Sequence, residues 1–363
     1  MSARQGPLAG LKVLEFAGIG PVPFCGMLLS DMGADVLRVD RPGASYDRYM
    51  VETRGRRSIV CDLKLEADRD LALRLVEKAD VLLEGFRPGV MERLGLGPQV
   101  TLARNTRLVY GRMTGWGQDG PLAAQPGHDI DYIALSGALH AIGGAQAPVL
   151  PVNLVGDFGG GALYLAVGVL AALRHAREHG TGQVVDCAMS EGSASLMGML
   201  YGHLARGTWR DERAANIIDG GAHFYNVYRC ADGKWLAVGA IEPQFYQALL
   251  ASAGLSADEF ASQQPQDWPR LRERLAAVFA TRTRDAWCQA LEHSGACVAP
   301  VLSMSEAPSH PHNQARGAFT SVDGVVQPAP APRFSRTPGA IRHGPVRAGE
   351  GAREALADWG VEP

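Results

Sequence analysis

Leu11-Lys12-Val13-Leu14-Glu15-Phe16-Ala17-Gly18-Ile19-Gly20-Pro21-Val22-Pro23 decides the fold. Residues 11–17 read as a strand, 18–23 as a turn, 24–32 as a helix and Asp35-Val36-Leu37-Arg38-Val39-Asp40 as a second strand. Strand, glycine turn, helix and strand form a βαβ unit, which builds parallel sheet. The turn nearly matches the dinucleotide fingerprint Gly-x-Gly-x-x-Gly, with Asp40 close to the expected ribose-binding acid. Pro23, however, stands where the third glycine belongs. Pro21 and Pro23 also delete N–H donors where a pyrophosphate would bind. The expectation is a Rossmann-like layer without a nicotinamide site.

The alternation continues outward. Residues 58–64 read as a third strand, 68–79 as a helix, 81–86 as a fourth strand and 108–113 as a fifth, with a short helix after Arg87-Pro88-Gly89. Such alternation argues for a mostly parallel α/β sheet. Ligands of open α/β sheets sit beyond the carboxyl ends of the strands. Arg41, Lys64, Arg87 and Arg93 lie at or just after such ends. One basic side chain there reads as a solvated surface residue; several together suit a phosphate-bearing ligand. Residues 183–189 read as a further strand and 191–205 as a helix, and 208–221 as a linker. Residues 224–239 read as a hairpin turning at Asp232-Gly233. Glu242-Pro243 then opens a helix, with proline suited to its first position.

The length of 363 residues suggests two domains. The expected organisation is α/β: a large Rossmann-like domain with a parallel sheet at 1–207, a smaller α+β domain at 208–325, and a return segment at 326–363 packing on the large domain. The proline-rich stretch 327–332 is its extended start.

Pro151-Val152-Asn153-Leu154-Val155-Gly156-Asp157-Phe158-Gly159-Gly160-Gly161 precedes the apolar run Leu163 to Leu173. Asp157 is the best helix-start residue there, and a capping carboxylate is one reading. Glycine inside a helix costs roughly 1 kcal/mol against alanine. Three successive glycines therefore imply that something packs tightly on that turn. The other reading is an acid/base beside exposed N–H donors, approached by a substrate. His128, flanked by Gly127 and Asp129, gains catalytic meaning only from such company.

Composition excludes other classes. A formal net charge of -3 gives no basic footprint for nucleic acid. No uninterrupted run of about 18 apolar residues is seen, so no membrane span is expected. Met1 to Pro7 lacks a signal-peptide core, and the end Val361-Glu362-Pro363 lacks a peroxisomal address. The six cysteines are scattered without a Cys-x-x-Cys pair, which fits reduced thiols in a cytoplasmic protein without a metal site.

Asp40-Arg41-Pro42, Gly127-His128-Asp129-Ile130, the stretch 153–161, Asp219-Gly220-Gly221-Ala222 and Val238-Gly239-Ala240-Ile241-Glu242-Pro243-Gln244-Phe245-Tyr246 together resemble the class III CoA-transferase family. Within it they resemble the racemases of alpha-methylacyl-CoA thioesters. The resemblance runs from about Gly6 to about Thr337. It implies a CoA-binding large domain, a small domain, and two chains interlocked as rings in a homodimer. Each active site would join one chain's large domain to the other chain's small domain. The implied activity interconverts (R)- and (S)-2-methylacyl-CoA by two-base α-proton transfer through an enolate, with no cofactor beyond the CoA of the substrate. His128 paired with Glu242 would serve the S substrate and Asp157 the R substrate. Arg41, Cys61, Asp62, Leu63, Lys64 and Arg87 would hold the adenosine-phosphate end. Gly127, Asp129, Ile130, Asp131 and Tyr132 would complete the substrate site. The sequence departs from the family's pattern in having Asp131 for an asparagine, His223 for a proline and Val22 for a glycine.

The chemistry suits these residues. A proton alpha to a thioester is weakly acidic, so its removal requires stabilisation of the enolate oxygen. Backbone N–H groups at the Asp157 turn are the expected donors, worth about 3–4 kcal/mol each. A base on one face and an acid on the other suffice for epimerisation. Glu242 would hold the His128 tautomer. Three rivals stand beside this reading. A CoA-transferase would use Asp157 as a nucleophile and would not need the His128–Glu242 pair. A non-catalytic acyl-CoA-binding homologue would be free to lose all three. A nicotinamide dehydrogenase conflicts with Pro21 and Pro23.

Overall fold

The computed structural model describes residues 5–362; the expectations that fall on Met1 to Arg4 and on Pro363 lie outside them. Six strands form a parallel sheet: β1 (Lys12–Phe16), β2 (Asp35–Asp40), β3 (Arg57–Val60), β4 (Val81–Glu84), β5 (Val109–Thr114) and β6 (Gln183–Ala188). Their order is β3-β2-β1-β4-β5-β6, that of a doubly wound dinucleotide-type sheet. Val13 pairs with Val36 on one side and Val81 on the other. The inner strands are apolar throughout because both faces are covered. Alternate residues separate into two cores. Val13, Val36, Val81 and Val109 face the helices Pro21–Asp31 and Tyr164–His179. Leu14, Leu37 and Leu82 face the helices Glu66–Val76 and Ala352–Trp359.

The first helix starts at Pro21, three residues before the expected Phe24. Both prolines sit in its first turn, where N–H groups lack intrahelical acceptors in any case. The glycine turn is therefore shorter than the fingerprint demands. The helix Pro98–Arg104 was not expected from the sequence.

The chain divides into two compact units. The larger holds the residues up to Ser136, Val152–Leu196 and those from Gln314 on; the smaller holds Gly137–Pro151 and Met197–Asn313. These bounds differ from the expected 1–207, 208–325 and 326–363: residues 137–151 and 197–207 group with the smaller unit, and 314–325 with the larger. Buried arginines tie the late segment to the sheet. Arg54 donates to Asp31 at 2.5 Å, to Gln327 at 2.7 Å and to the Pro328 carbonyl at 2.9 Å. Arg57 bridges Asp35 and Asp358, and Trp359 Nε1 donates to Asp35 at 2.9 Å. Arg56 and Glu15 form a fully buried pair at 3.0 Å.

The run Leu154–His179, 26 residues, is long and apolar enough by length and composition to cross a membrane. The expectation of no such run missed it because Asp157 interrupts the apolar sequence. One side of the run is core: Leu165, Val169, Ala172 and Leu173 are buried under the sheet.

The smaller unit is built on an antiparallel sheet of β7 (Tyr225–Arg229), β8 (Trp235–Gly239) and β9 (Val298–Val301). The hairpin turns at Asp232-Gly233 as read, with Gly233 at φ 79°. Phe224, Leu236, Trp268, Phe279 and Trp287 are in its core. His223 is fully buried there. Its Nε2 lies 2.8 Å from the Tyr246 hydroxyl, which itself donates to the Phe260 carbonyl, so the imidazole is the donor to that oxygen. Nδ1 is buried without a hydrogen-bond partner among the described residues. Burial pushes the His223 pKa down to about 4. The folded value lies below the unfolded one, so the stabilisation is complete above about pH 6.5 and is lost as pH falls toward 4, by on the order of 3 kcal/mol. Urea unfolding of the small unit at pH 7 and pH 4.5 is expected to show a smaller acid loss in His223→Phe than in the parent. Equal losses would place the acid sensitivity elsewhere.

Candidate active site

Two clefts open at the carboxyl ends of the sheet, around the point between β1 and β4 where strand order reverses. The first, about 440 Å³, is lined by segments following β1, β2 and β3. The second, about 530 Å³, is lined by segments following β4 and β5, by the start of helix Asp129–Leu135, and by Asn153 and Asp157. Ile19 and Phe86 line both, so the clefts adjoin. Of the expected site residues, Arg41, Cys61, Asp62 and Leu63 line the first, and Arg87, Gly127, His128, Tyr132 and Asp157 the second. Lys64, Asp129, Ile130 and Asp131 line neither.

His128 is the N-cap of helix Asp129–Leu135. The cap is made by backbone and by Asp131, whose carboxylate accepts the His128 N–H at 2.9 Å. An asparagine oxygen would do the same, which explains why the Asp131 departure is tolerated. His128 is exposed. Its backbone is seated on Tyr132. The Tyr132 hydroxyl donates to the Gly127 carbonyl at 2.5 Å, and a Cβ at Gly127 would meet the Tyr132 ring at 2.7 Å. Trp116 packs edge-on to the same ring at 4.8 Å.

Asp157 is not the helix cap. Asn153 holds that position, and the helix begins with a π-wound segment, Leu154–Leu163, that places Asp157 inside its first turn. The Phe158 N–H reaches back five residues to the Asn153 carbonyl at 3.3 Å. Such winding recurs at functional sites. The glycines do answer tight packing, but the packing partner is protein. A Cβ on Gly160 would lie 2.5 Å from the Ser193 backbone nitrogen, and one on Gly161 2.9 Å from the Met189 side chain. Both neighbours belong to the helix Met189–Leu196. The space kept by these glycines is therefore filled by a helix and not by a substrate. The expected oxyanion donors are also spent: the Asp157 N–H bonds the Asp129 carboxylate at 2.7 Å, and the Phe158 N–H bonds Asn153.

The Asp157 side chain faces the cleft, holding one bond from Asn153 Nδ2 at 3.3 Å. Gly20, at φ 70°, brings the β1 turn against it; a Cβ there would sit 3.3 Å from the carboxylate. Phe24 and Phe158 stack at 4.5 Å behind it. The Asp157 pKa is raised, first by burial; the Asn153 bond opposes this, the charge of Asp129 adds to it and that of His128 reduces it. A carboxyl that keeps its proton more readily is suited to act as an acid.

Glu242 lies in the smaller unit as the N-cap of helix Pro243–Ala253, as expected, but its side chain makes no capping bond and it is exposed. Asn153, Trp116, Ile19 and Phe86 were given no role from the sequence. Asn153 four residues before Asp157 is the one signal that was available, since that spacing places both on one helix face.

A family model described as CoA-transferase family III matches residues 8–351. The chain is 45% identical over 358 residues to the alpha-methylacyl-CoA racemase of Mus musculus, covering 97% of this chain and 93% of that one. The figures for the alpha-methylacyl-CoA racemase of Homo sapiens are the same, 45% over 358 residues. Among solved structures, a CaiB/BaiF family protein from Brucella suis superposes with a TM-score of 0.85 at 25% identity, covering 98% of this chain and 100% of that one.

Proposed function

The chain belongs to CoA-transferase family III, and from that premise we propose that it is an isomerase racemising 2-methylacyl-CoA thioesters. The observation that carries this reading is that His128 and Asp157, two acid/base groups on different elements, line one cleft at the switch point of the sheet. The adjoining cleft, with Arg41 and the segment after β3, takes the adenosine-phosphate end of CoA. The pantetheine arm passes Ile19 and Phe86 to bring the thioester between His128 and Asp157. Arg41 and Arg87 are exposed and supply charge for phosphate.

In the S to R direction the His128 imidazole removes the α-proton, an enolate forms, and the Asp157 carboxyl returns a proton to the opposite face. The reverse direction exchanges the roles. With the Asp157 and Phe158 N–H groups engaged, the enolate oxygen is left to the orphan N–H donors that open the helix after His128. Glu242, whose carboxylate is free of capping duty, orients His128 from the partner chain's small unit. The protein is accordingly a homodimer. The helix Gly198–Arg206, which buries none of its residues and exposes Met199, Tyr201 and Leu204, supports an assembly that covers it. The reaction needs no electron acceptor and no metal or other cofactor, since both proton transfers are made by side chains. Six free cysteines support a reducing, cytoplasmic setting.

Incubating a single enantiomer of a 2-methylacyl-CoA in heavy water tests the function. The expected result is deuterium at the α-carbon together with loss of optical purity, without a second acid present. Acyl transfer to an added carboxylate, with no α-exchange, would establish instead the transferase reading, in which Asp157 forms an anhydride.

A further inference from the structure

Asp129 lines neither cleft, yet it is bound to the Asp157 turn more closely than any residue that does. It is the first residue of the helix that His128 caps, and it is buried. Its Oδ2 accepts the Asp157 backbone N–H at 2.7 Å. Its Oδ1 is buried with no hydrogen-bond partner among the described residues. Gly156 makes the approach possible: a Cβ there would stand 2.4 Å from Asp129 Oδ2. A carboxylate has thus been brought into contact with the backbone of another carboxylate, at a position where an asparagine oxygen would accept the same bond. An acceptor alone does not require the charge; the charge is what an asparagine would lack.

We propose that Asp129 is a positioning residue that works on Asp157 in two ways: its oxygen fixes the π-wound turn, and it holds a carboxylate against that turn, where it adds to the effect of burial on the acid Asp157. This deepens the racemase reading and rests on it for the word acid. The other groups facing the turn do not substitute for it. The helix Asp129–Leu135 and its cap bring Asp131, Tyr132 and His128; the helix Met189–Leu196 brings Glu191; the helix Pro21–Asp31 brings Cys25 and Asp31; β6 brings Cys187. Asp131 is engaged by the His128 N–H, Asp31 by Arg54, and Glu191 is exposed. After burial and the Asn153 bond, the charges of Asp129 and His128 act on the Asp157 carboxyl, and they act oppositely. One helix start therefore carries the group that favours the proton on Asp157 and the group that disfavours it, so protonating His128 during turnover changes the acidity of its counterpart across the cleft.

The test is a carboxyl ¹³C titration of Asp157, assigned by loss of its signal in Asp157→Asn, in the full-length protein and in Asp129→Asn. Asp129→Asn keeps the acceptor and removes the charge. The Asp157 midpoint is expected to fall by about one pH unit or more. The pH limb of racemisation that requires protonated Asp157 should fall with it, at nearly unchanged KM. Asp129→Ala, which loses the bond as well, should also lower kcat. A well-folded Asp129→Asn with an unmoved Asp157 midpoint overturns the proposal. Should that variant fail to fold, the parent protein decides: coupled carboxylates give a two-step titration of the Asp157 signal, and a single step at the ordinary aspartate value overturns it. The titration needs no turnover. A shifted midpoint without racemase activity would reject the function and keep the coupling, whereas racemisation with an unmoved midpoint would do the reverse.

Discussion

Replacing His128 with alanine abolishes racemisation but leaves α-proton exchange from the R ester, and Asp157→Ala leaves exchange from the S ester: this is the expected outcome if each group serves one face. Racemisation needs both groups in every turnover, one to take a proton and one to give it. Exchange needs only one, because a group that removes a proton can trade it with water and return another to the same face. Loss of a positioned general base typically costs about 10²–10⁴-fold, so the surviving and the dead face are easily separated. His128 is well placed to trade its proton, being exposed. Asp157, half-enclosed and held by Asn153, should exchange more slowly. Deuterium uptake into each pure enantiomer, followed by NMR, makes the measurement. Equal loss on both faces in both variants would reject the two-base assignment.

Two inactive proteins should restore activity when mixed. Each proposed site takes Asp157 from one chain and Glu242 from the other. In a hybrid of Asp157→Ala and Glu242→Ala chains, one site inherits both substitutions and the other neither. Random exchange makes half the dimers hybrid, each with one intact site, so about a quarter of the parental activity returns under twofold symmetry. The variants alone should stay near background. If mixing after partial denaturation and refolding restores nothing while the parent refolds fully, the shared site is wrong.

The sheet was legible because its signals are local. Val13, Val36 and Val81 stand in short apolar runs that can only be buried strands, and glycines and prolines punctuate them. The π-winding around Asp157 was not legible. Its glycines are required by Gly192, Ser193 and Met189, which lie some thirty residues later and meet the turn only in the fold. Arg54-Gly55-Arg56-Arg57 looks like solvated surface in one dimension, yet all three arginines are buried, because Asp31, Glu15 and Asp35 come from separate elements to meet them. The family resemblance implied that Asp129 helps complete the substrate site. Helix geometry turns it inward, toward Asp157, and leaves His128 in the cleft.

The larger unit is made from the two ends of the chain, and synthesis runs from one end to the other. Every residue of the smaller unit is synthesised before Gln327 and Trp359. Until then Arg54 and Asp35 wait with part of their bonding unmade, and the Leu14–Leu37–Leu82 face lacks Leu356 and Trp359. A message truncated between Asn313 and Ala352 thus yields a chain with all of its small unit and a sheet face without Leu356 and Trp359. Such a product would offer the apolar surface that Leu356 and Trp359 otherwise cover to chaperones and proteases.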